Sequence, residues 1–317
     1  MRFLSAVSFL TIIKIPKKFL IFKLDKYYEL LSFFPTVGLI IGILNFIVFF
    51  ILSLISHPLL SACFVVIFET VLTGGLHLDG LADTFDGFCS KEKDKNKIIE
   101  IMKKPNIGVF GVISIIFLII LKIVLTYLIY LRIFNLNSSL LYNIYGHGLN
   151  EDFNLIFKNI DIANIISLTN VNITNICFLG LVLTFAPIFG RVSMLYLFSN
   201  YDCAVKNKSL VFLFKGENNK KVFLVQSILY SIIFIVLNAF VGFSYNNFLF
   251  LENLLILKSL LLIGFVFIFI VIIAKVLTKK IGGITGDIVG AVSVLTEVCF
   301  LFFYYLFINI FINIYKV

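Results

Sequence analysis

The sequence predicts an all-α fold: a polytopic bundle of about seven transmembrane helices with its N-terminus in the cytoplasm. Three observations predict it. First, 61% of the 317 residues are hydrophobic and only 14% are charged, against about 25% charged in an ordinary soluble domain. Mean hydropathy is +1.09, and a soluble globule of this composition would expose apolar patches that are rarely tolerated. Second, apolar runs long enough to cross a bilayer, about 20 residues each, recur along the chain. Third, 20 of the 26 Lys and Arg residues lie in four segments that alternate with these runs as the positive-inside rule requires. The net charge of +9 therefore reads as basic cytoplasmic loops and not as a nucleic-acid footprint. The same composition excludes a disordered chain, a collagen-like repeat and a small disulfide scaffold.

Residues 1–34 hold Arg2, Lys14, Lys17, Lys18, Lys23 and Lys26. Lysines follow the first apolar run where a cleavage site would want small residues, so the segment reads as an interfacial amphipathic stretch and not as a cleaved signal. No Asp, Glu, Lys or Arg occurs from Leu30 to Phe68. That length accommodates span 1 at 35–56 and span 2 at 59–78, with a turn at Ser56-His57-Pro58. The loop 88–106 carries six lysines, among them Lys103 and Lys104. Span 3 follows at 108–131. Residues 135–175 contain ten Asn and few charges and read as an external, Asn-rich insertion that also holds His147. Spans 4 to 7 are expected at 176–198, 222–243, 254–277 and 288–314. The basic residues of 199–221, and Lys275, Lys279 and Lys280, fall on the same side as the first two basic segments. The whole is read as one integral domain, 1–317, of the cytoplasmic (cell) membrane. Cys63, Cys89, Cys177, Cys203 and Cys299 form no C-x-x-C pair, which argues against a disulfide framework and a zinc site.

Chemistry concentrates in Thr73-Gly74-Gly75-Leu76-His77-Leu78-Asp79-Gly80-Leu81-Ala82-Asp83-Thr84-Phe85-Asp86-Gly87, placed at the cytoplasmic end of span 2. The spacing of Asp79, Asp83 and Asp86 puts three carboxylates on one helix face. Such neighbours repel one another unless a cation or proton lies between them, and hard oxygen ligands of this kind suit Mg²⁺. A solvated acidic helix end is disfavoured by the apolar surroundings and by the lack of Lys or Arg from 69 to 90. His77 points away from the Asp face and reads as a packing or hydrogen-bonding residue as readily as a catalytic one. Lys103-Lys104 ahead of span 3 form a candidate anion site, because free N–H groups and the helix dipole add to their charge. Gly282-Gly283-Ile284-Thr285-Gly286-Asp287 lets backbone approach a ligand and offers Asp287 as a ligand or a base. Arg191, in the Gly190-Arg191 pair of span 4, is a candidate phosphate contact. Glu69 and Glu297 are intramembrane acids, costing about 2.5–3.5 kcal/mol each on insertion scales. They read as supporting or structural groups, and Lys122 as a salt-bridge partner or a snorkelling residue.

These segments, in this order, resemble the cobalamin synthases, also called adenosylcobinamide-GDP ribazoletransferases. The resemblance is carried by Phe9-Leu10-Thr11 with Ile15-Pro16, by FPTVGLIIG at 34–42, by TGGLHLDGLADTFDG, by IEIMKKPNIGVFGV, by Gly190-Arg191 and by GGITGDIVGA. Two departures stand out. Lys104-Pro105-Asn106 replaces the family's usual Asp-Ser-Arg, so that Lys103 or Lys104 stands in for an arginine, and Val294 replaces a frequent Glu. The resemblance implies transfer of the cobinamide-phosphate moiety of adenosylcobinamide-GDP to α-ribazole or its 5′-phosphate. GMP is released in this last nucleotide-loop assembly step of cobalamin biosynthesis. It implies Mg²⁺ as cofactor, Asp79, Asp83, Asp86 and Asp287 as metal ligands, and Lys103, Lys104 and Arg191 as phosphate contacts. Gly282, Gly283, Thr285 and Gly286 are carried over as substrate-binding backbone, on a site that faces the cytoplasm. Two other classes compete with this reading. A CDP-alcohol-type membrane phosphotransferase also presents Asp clusters, but its further Arg and Asp spacing is absent here. An ion-coupled transporter would relay ions through Glu69, Asp79, Asp287 and Glu297, yet these acids gather towards one face and no internal repeat is found. The oligomeric state, a homo-oligomer included, is left open by the sequence.

Overall fold

The structure, a computed structural model, describes residues 1–20, 24–135, 173–205, 210–243 and 249–315. The expected Asn-rich insertion at 135–175 and His147 lie, but for the insertion's two ends, outside the described residues. The helices are α1 (Arg2–Leu10), α2 (Phe34–Ile55), α3 (Pro58–Leu72), α4 (Leu76–Cys89), α5 (Lys95–Met102), α6 (Val109–Asn135) and α7 (Ile173–Asn200). They continue with α8 (Leu210–Leu213), α9 (Asn219–Phe243), α10 (Leu249–Ile281) and α11 (Gly286–Tyr315). Short 3-10 turns at Lys17–Phe19 and Leu24–Phe33 lead into α2. No strand forms among the described residues; one isolated bridge joins Cys203 and Ile284.

Among the described residues, six helices are long and apolar enough to cross a membrane: α2, α6, α7, α9, α10 and α11. The seventh expected span departs from the prediction. Instead of continuing over 59–78, α3 ends at Leu72 and α4 starts at Leu76, bent by 89°. The reason is local. Gly74 and Gly75 take φ of 63° and 68°, a left-handed conformation that side-chain-bearing residues avoid and that ends a helix. The signature aspartates therefore lie on a separate helix turned away from the spans. At the other end of α3 the expected turn is present. Ser56 ends α2, the His57 imidazole accepts from Leu59 N–H at 3.3 Å, and Pro58 opens α3, where its missing donor costs nothing.

α7 is the central helix, buried on most sides between α2, α9 and α11, as a surrounded span must be. Gly38 and Gly42 of α2 let the two backbones touch: a Cβ on Gly38 would lie 2.7 Å from the Pro187 carbonyl oxygen. Small residues at such contacts are how membrane helices approach closely. Phenylalanines fill the middle of the bundle, with Phe189 stacked on Phe300 at 5.3 Å and Phe185 against Phe234 at 4.9 Å. Outer faces such as Ile43, Ile47 and Ile51 of α2 stay exposed, as lipid-facing positions should.

The connections that carry most of the basic residues meet at one end. Ile12 N–H donates to the Leu72 carbonyl at 2.8 Å, and Ala204 N–H donates to the Ile284 carbonyl at 2.9 Å. Lys280 Nζ donates to the Phe88 carbonyl. Phe214 packs its ring against Phe9, Phe34 and Tyr27. The N-terminal segment, the α4–α5 region, the α7–α9 connection and the α10–α11 turn thus form one cap over the bundle.

Candidate active site

α4, part of this cap, packs against the first turns of α11 and α6. Gly80 sets the contact: a Cβ there would stand 2.7 Å from the Asp287 carbonyl oxygen. Without a side chain at residue 80, Asp79 and Asp83 are brought to the start of α11. Thr285 caps that start, its Oγ1 accepting from Ile288 N–H at 3.2 Å, and Asp287 sits in the first turn, where the helix dipole favours an acid. Asp94 caps α5 by accepting from Asn96 N–H at 2.7 Å and Lys97 N–H at 3.3 Å. The far end of α5 then delivers Lys103 and Lys104.

These elements enclose a polar cleft of about 340 Å³, lined by Asp79, Asp83, Asp287, Lys103, Lys104 and four less polar neighbours. One wall is acidic and the other basic. Partial burial, then the charges of Asp287, Asp79 and Asp86, push the Asp83 carboxyl up to about 7. Crowded in this way, the carboxylates resist ionising together below about pH 7 unless a cation joins them. Among the described residues no three His, Cys, Asp or Glu side chains gather as a ready-made metal cage. Mg²⁺ does not require one: it binds through one or two carboxylates and completes its shell with water and phosphate oxygens. The donor set of the acidic wall therefore fits this ion.

The sequence-predicted residues divide into four groups. Asp79, Asp83, Asp287, Lys103 and Lys104 come together at the cleft. Asp86 is on the same helix, but both its oxygens accept backbone N–H groups at the start of α6, from Gly108 at 2.6 Å and Gly111 at 2.8 Å. The N-terminus expected to bind an anion is thus already capped by a side chain. Gly282, Gly283, Thr285 and Gly286 form the turn behind Asp287 and are not among the residues that line the cleft. Gly282 takes φ of 80° beside Lys95, and Gly283 packs on the Asp202 carbonyl.

The fourth group is buried in the bundle. Lys122 Nζ lies 2.7 Å from Glu69 Oε1 and 2.6 Å from Glu297 Oε2. Arg191, 1% exposed, donates to Glu297 Oε1, and Asn45 donates to Glu69 Oε2 at 2.6 Å. Arg191, expected at a phosphate, stands in this network and does not line the cleft. Lys122 is an ion-pair partner and does not snorkel. His77 lines the same small internal cavity as Glu69, Lys122, Arg191 and Glu297. Its Nε2 is buried without a hydrogen-bond partner among the described residues, and it does not line the cleft. Asn45 is the member that sequence reading missed. A lone Asn inside an otherwise apolar span was the available signal.

The family described as cobalamin-5-phosphate synthase matches residues 2–145 and 159–305. The chain is 30% identical over 303 residues to the adenosylcobinamide-GDP ribazoletransferase of Clostridioides difficile (strain 630), covering 95% of this chain and 96% of that one. It is 31% identical over 296 residues to the protein of the same name from Clostridium tetani, covering 93% and 92%. A third so named, from Thermoanaerobacter sp. (strain X514), is 30% identical over 305 residues, covering 95% and 96%. No solved structure matches.

Proposed function

The chain belongs to the cobalamin-5-phosphate synthase family, and we infer that, like the relatives so named, it is an adenosylcobinamide-GDP ribazoletransferase of cobalamin biosynthesis. In the proposed reaction a ribose hydroxyl of α-ribazole, or of its 5′-phosphate, attacks the cobinamide-linked phosphorus of adenosylcobinamide-GDP. The bond to the bridging oxygen breaks, GMP departs with it, and the hydroxyl proton passes to a base. The cobalamin formed carries the new phosphodiester.

The observation that carries this reading is the cleft in which Asp79, Asp83 and Asp287 meet Lys103 and Lys104. Phosphoryl transfer is mostly positioning and neutralisation of charge. Lys103 and Lys104 hold diphosphate oxygens as point charges. Asp79 and Asp83 hold Mg²⁺, which when bound neutralises charge on the diphosphate. Asp287 completes the acidic wall, as a further ligand or as the base for the ribose hydroxyl. The network of Glu69, Lys122, Glu297 and Arg191 balances two acids with two bases inside the membrane. With both acids engaged, no observation favours ion relay.

The protein is a multi-pass membrane protein. We place it in the cell membrane with the capped end, and so the cleft, towards the cytoplasm, because the basic residues concentrate there. The test is an assay of purified, detergent-solubilised protein. Adenosylcobinamide-GDP and α-ribazole should yield GMP and a corrinoid product only with Mg²⁺ present. Folded wild-type protein that releases no GMP would overturn the reading.

A further inference from the structure

Asp79, Asp83 and Asp86 are equivalent in the sequence pattern but not in the structure. Asp79 and Asp83 line the cleft, whereas Asp86 Oδ2 and Oδ1 accept the N–H groups of Gly108 and Gly111. These are the residue before α6 and the third residue of α6, two of the donors that a helix start leaves without an internal partner. A cap is ordinarily supplied by the helix's own flanking residues. Here it comes from another helix, 22 and 25 residues earlier in the chain. Both glycines are shaped to the carboxylate: an added Cβ at either residue 108 or residue 111 would fall on Asp86. The segment that runs from the end of α5 to this cap is Lys103-Lys104-Pro105-Asn106-Ile107, most of the wall opposite the acids.

We propose that Asp86 is a positioning residue and not a metal ligand: its carboxylate ties α4 to the start of α6 and so fixes the Lys103-Lys104 wall at the width that grips the diphosphate. The proposal rests on the transferase reading for its catalytic consequence and on the two hydrogen bonds for its structural one. Asp86→Asn keeps the shape but turns an amide N–H towards one of the two backbone donors. Gly111→Ala pushes on the same contact from the other side.

The test uses the full-length, detergent-solubilised protein and two readouts. Hydrogen exchange over residues 103–112 is measured without substrate. Mg²⁺ titrations and substrate titrations are then run on wild type, Asp86→Asn, Gly111→Ala and Asp83→Asn. Loss of hydrogen bonds to a charged group should speed exchange over 103–112 by about tenfold in both clamp variants. The KM for adenosylcobinamide-GDP should rise by about tenfold, while the Mg²⁺ concentration giving half-maximal rate stays within about twofold of wild type. Unchanged exchange in both variants overturns the proposal. So does a shift in Mg²⁺ requirement in Asp86→Asn as large as that in Asp83→Asn. Should Asp86→Asn fail to fold, Gly111→Ala tests the contact alone. Should wild-type protein release no GMP, the transferase reading fails, and the exchange measurement still decides the clamp.

Discussion

Asp83 is the residue on which the cleft's electrostatics converge, with Asp79, Asp86 and Asp287 all raising its carboxyl. Asp83→Asn should lower turnover by about 10²–10³-fold, the cost of removing one group that organises transition-state charge, with membrane insertion retained. A GMP-release assay checks the rate, and a wild-type rate in the variant would remove Asp83 from the proposed metal site. In the buried network the concern is stability, not rate. Lys122→Met leaves Glu69 and Glu297 without their shared cation. Breaking a buried pair in this way costs about 3–5 kcal/mol, and thermal unfolding in detergent should register it as a lower Tm. Which acids bind and which merely pair was only partly legible in the sequence. Intramembrane charge marked Glu69, Lys122, Arg191 and Glu297 as important, but their partners lie 53 to 175 residues apart. No local pattern reports that pairing.

At the scale of elements, the break between α3 and α4 sets the site. Gly74 and Gly75, both at positive φ, turn the acidic helix by 89° so that it lies along the start of α11. Gly75→Ala meets no neighbour within 4 Å, so its penalty is conformational, about 1–2 kcal/mol, and should appear as reduced stability with activity preserved. Gly80→Ala is the opposite case. Its Cβ would stand 2.7 Å from the Asp287 carbonyl oxygen, and backbone cannot swing aside as a flexible side chain can. We expect α4 to be displaced from α11 and turnover to fall by about 10²-fold, as a displacement of the order of 1 Å can cause, while the variant still inserts. A Gly80→Ala enzyme with unchanged kinetics would mean that α4 is not held by this contact. The existence of these helices was evident from hydropathy. The bend was not, because the residues after Leu72 continue the apolar pattern and two glycines alone do not reveal a direction.

For the whole molecule, the proposed orientation puts the basic segments, and the cleft with them, on the cytoplasmic side of the membrane. Native Cys89, exposed at the capped end, should react with a membrane-impermeant maleimide only after cells are opened. A cysteine placed at Asn143 should react in intact cells, and the reverse pattern would invert the assignment. The crowded carboxylates also make stability depend on pH. Asp83 titrates near its ordinary 3.8 when unfolded and near about 7 when folded, so between these values the folded state holds more protons. Stability is therefore lost as pH rises through this window. Metal-free protein should show a lower Tm at pH 8 than at pH 5, and Mg²⁺ should restore more at pH 8 by binding the ionised site. A pH-independent effect of Mg²⁺ would place the ion elsewhere. The sequence by itself determined the membrane class, six of the seven expected spans to within about five residues, and the segments in which the basic residues and the aspartates gather. Each is written in short-range composition and period, which hydropathy and charge counting read directly. Only the tertiary structure decided that Asp86 caps a helix while Asp83 faces a cleft, that Arg191 answers Glu297 inside the bundle, and that Asp287 meets Asp79 and Asp83. Those outcomes depend on how helices far apart in the chain pack, and packing is fixed by the shape of the whole bundle.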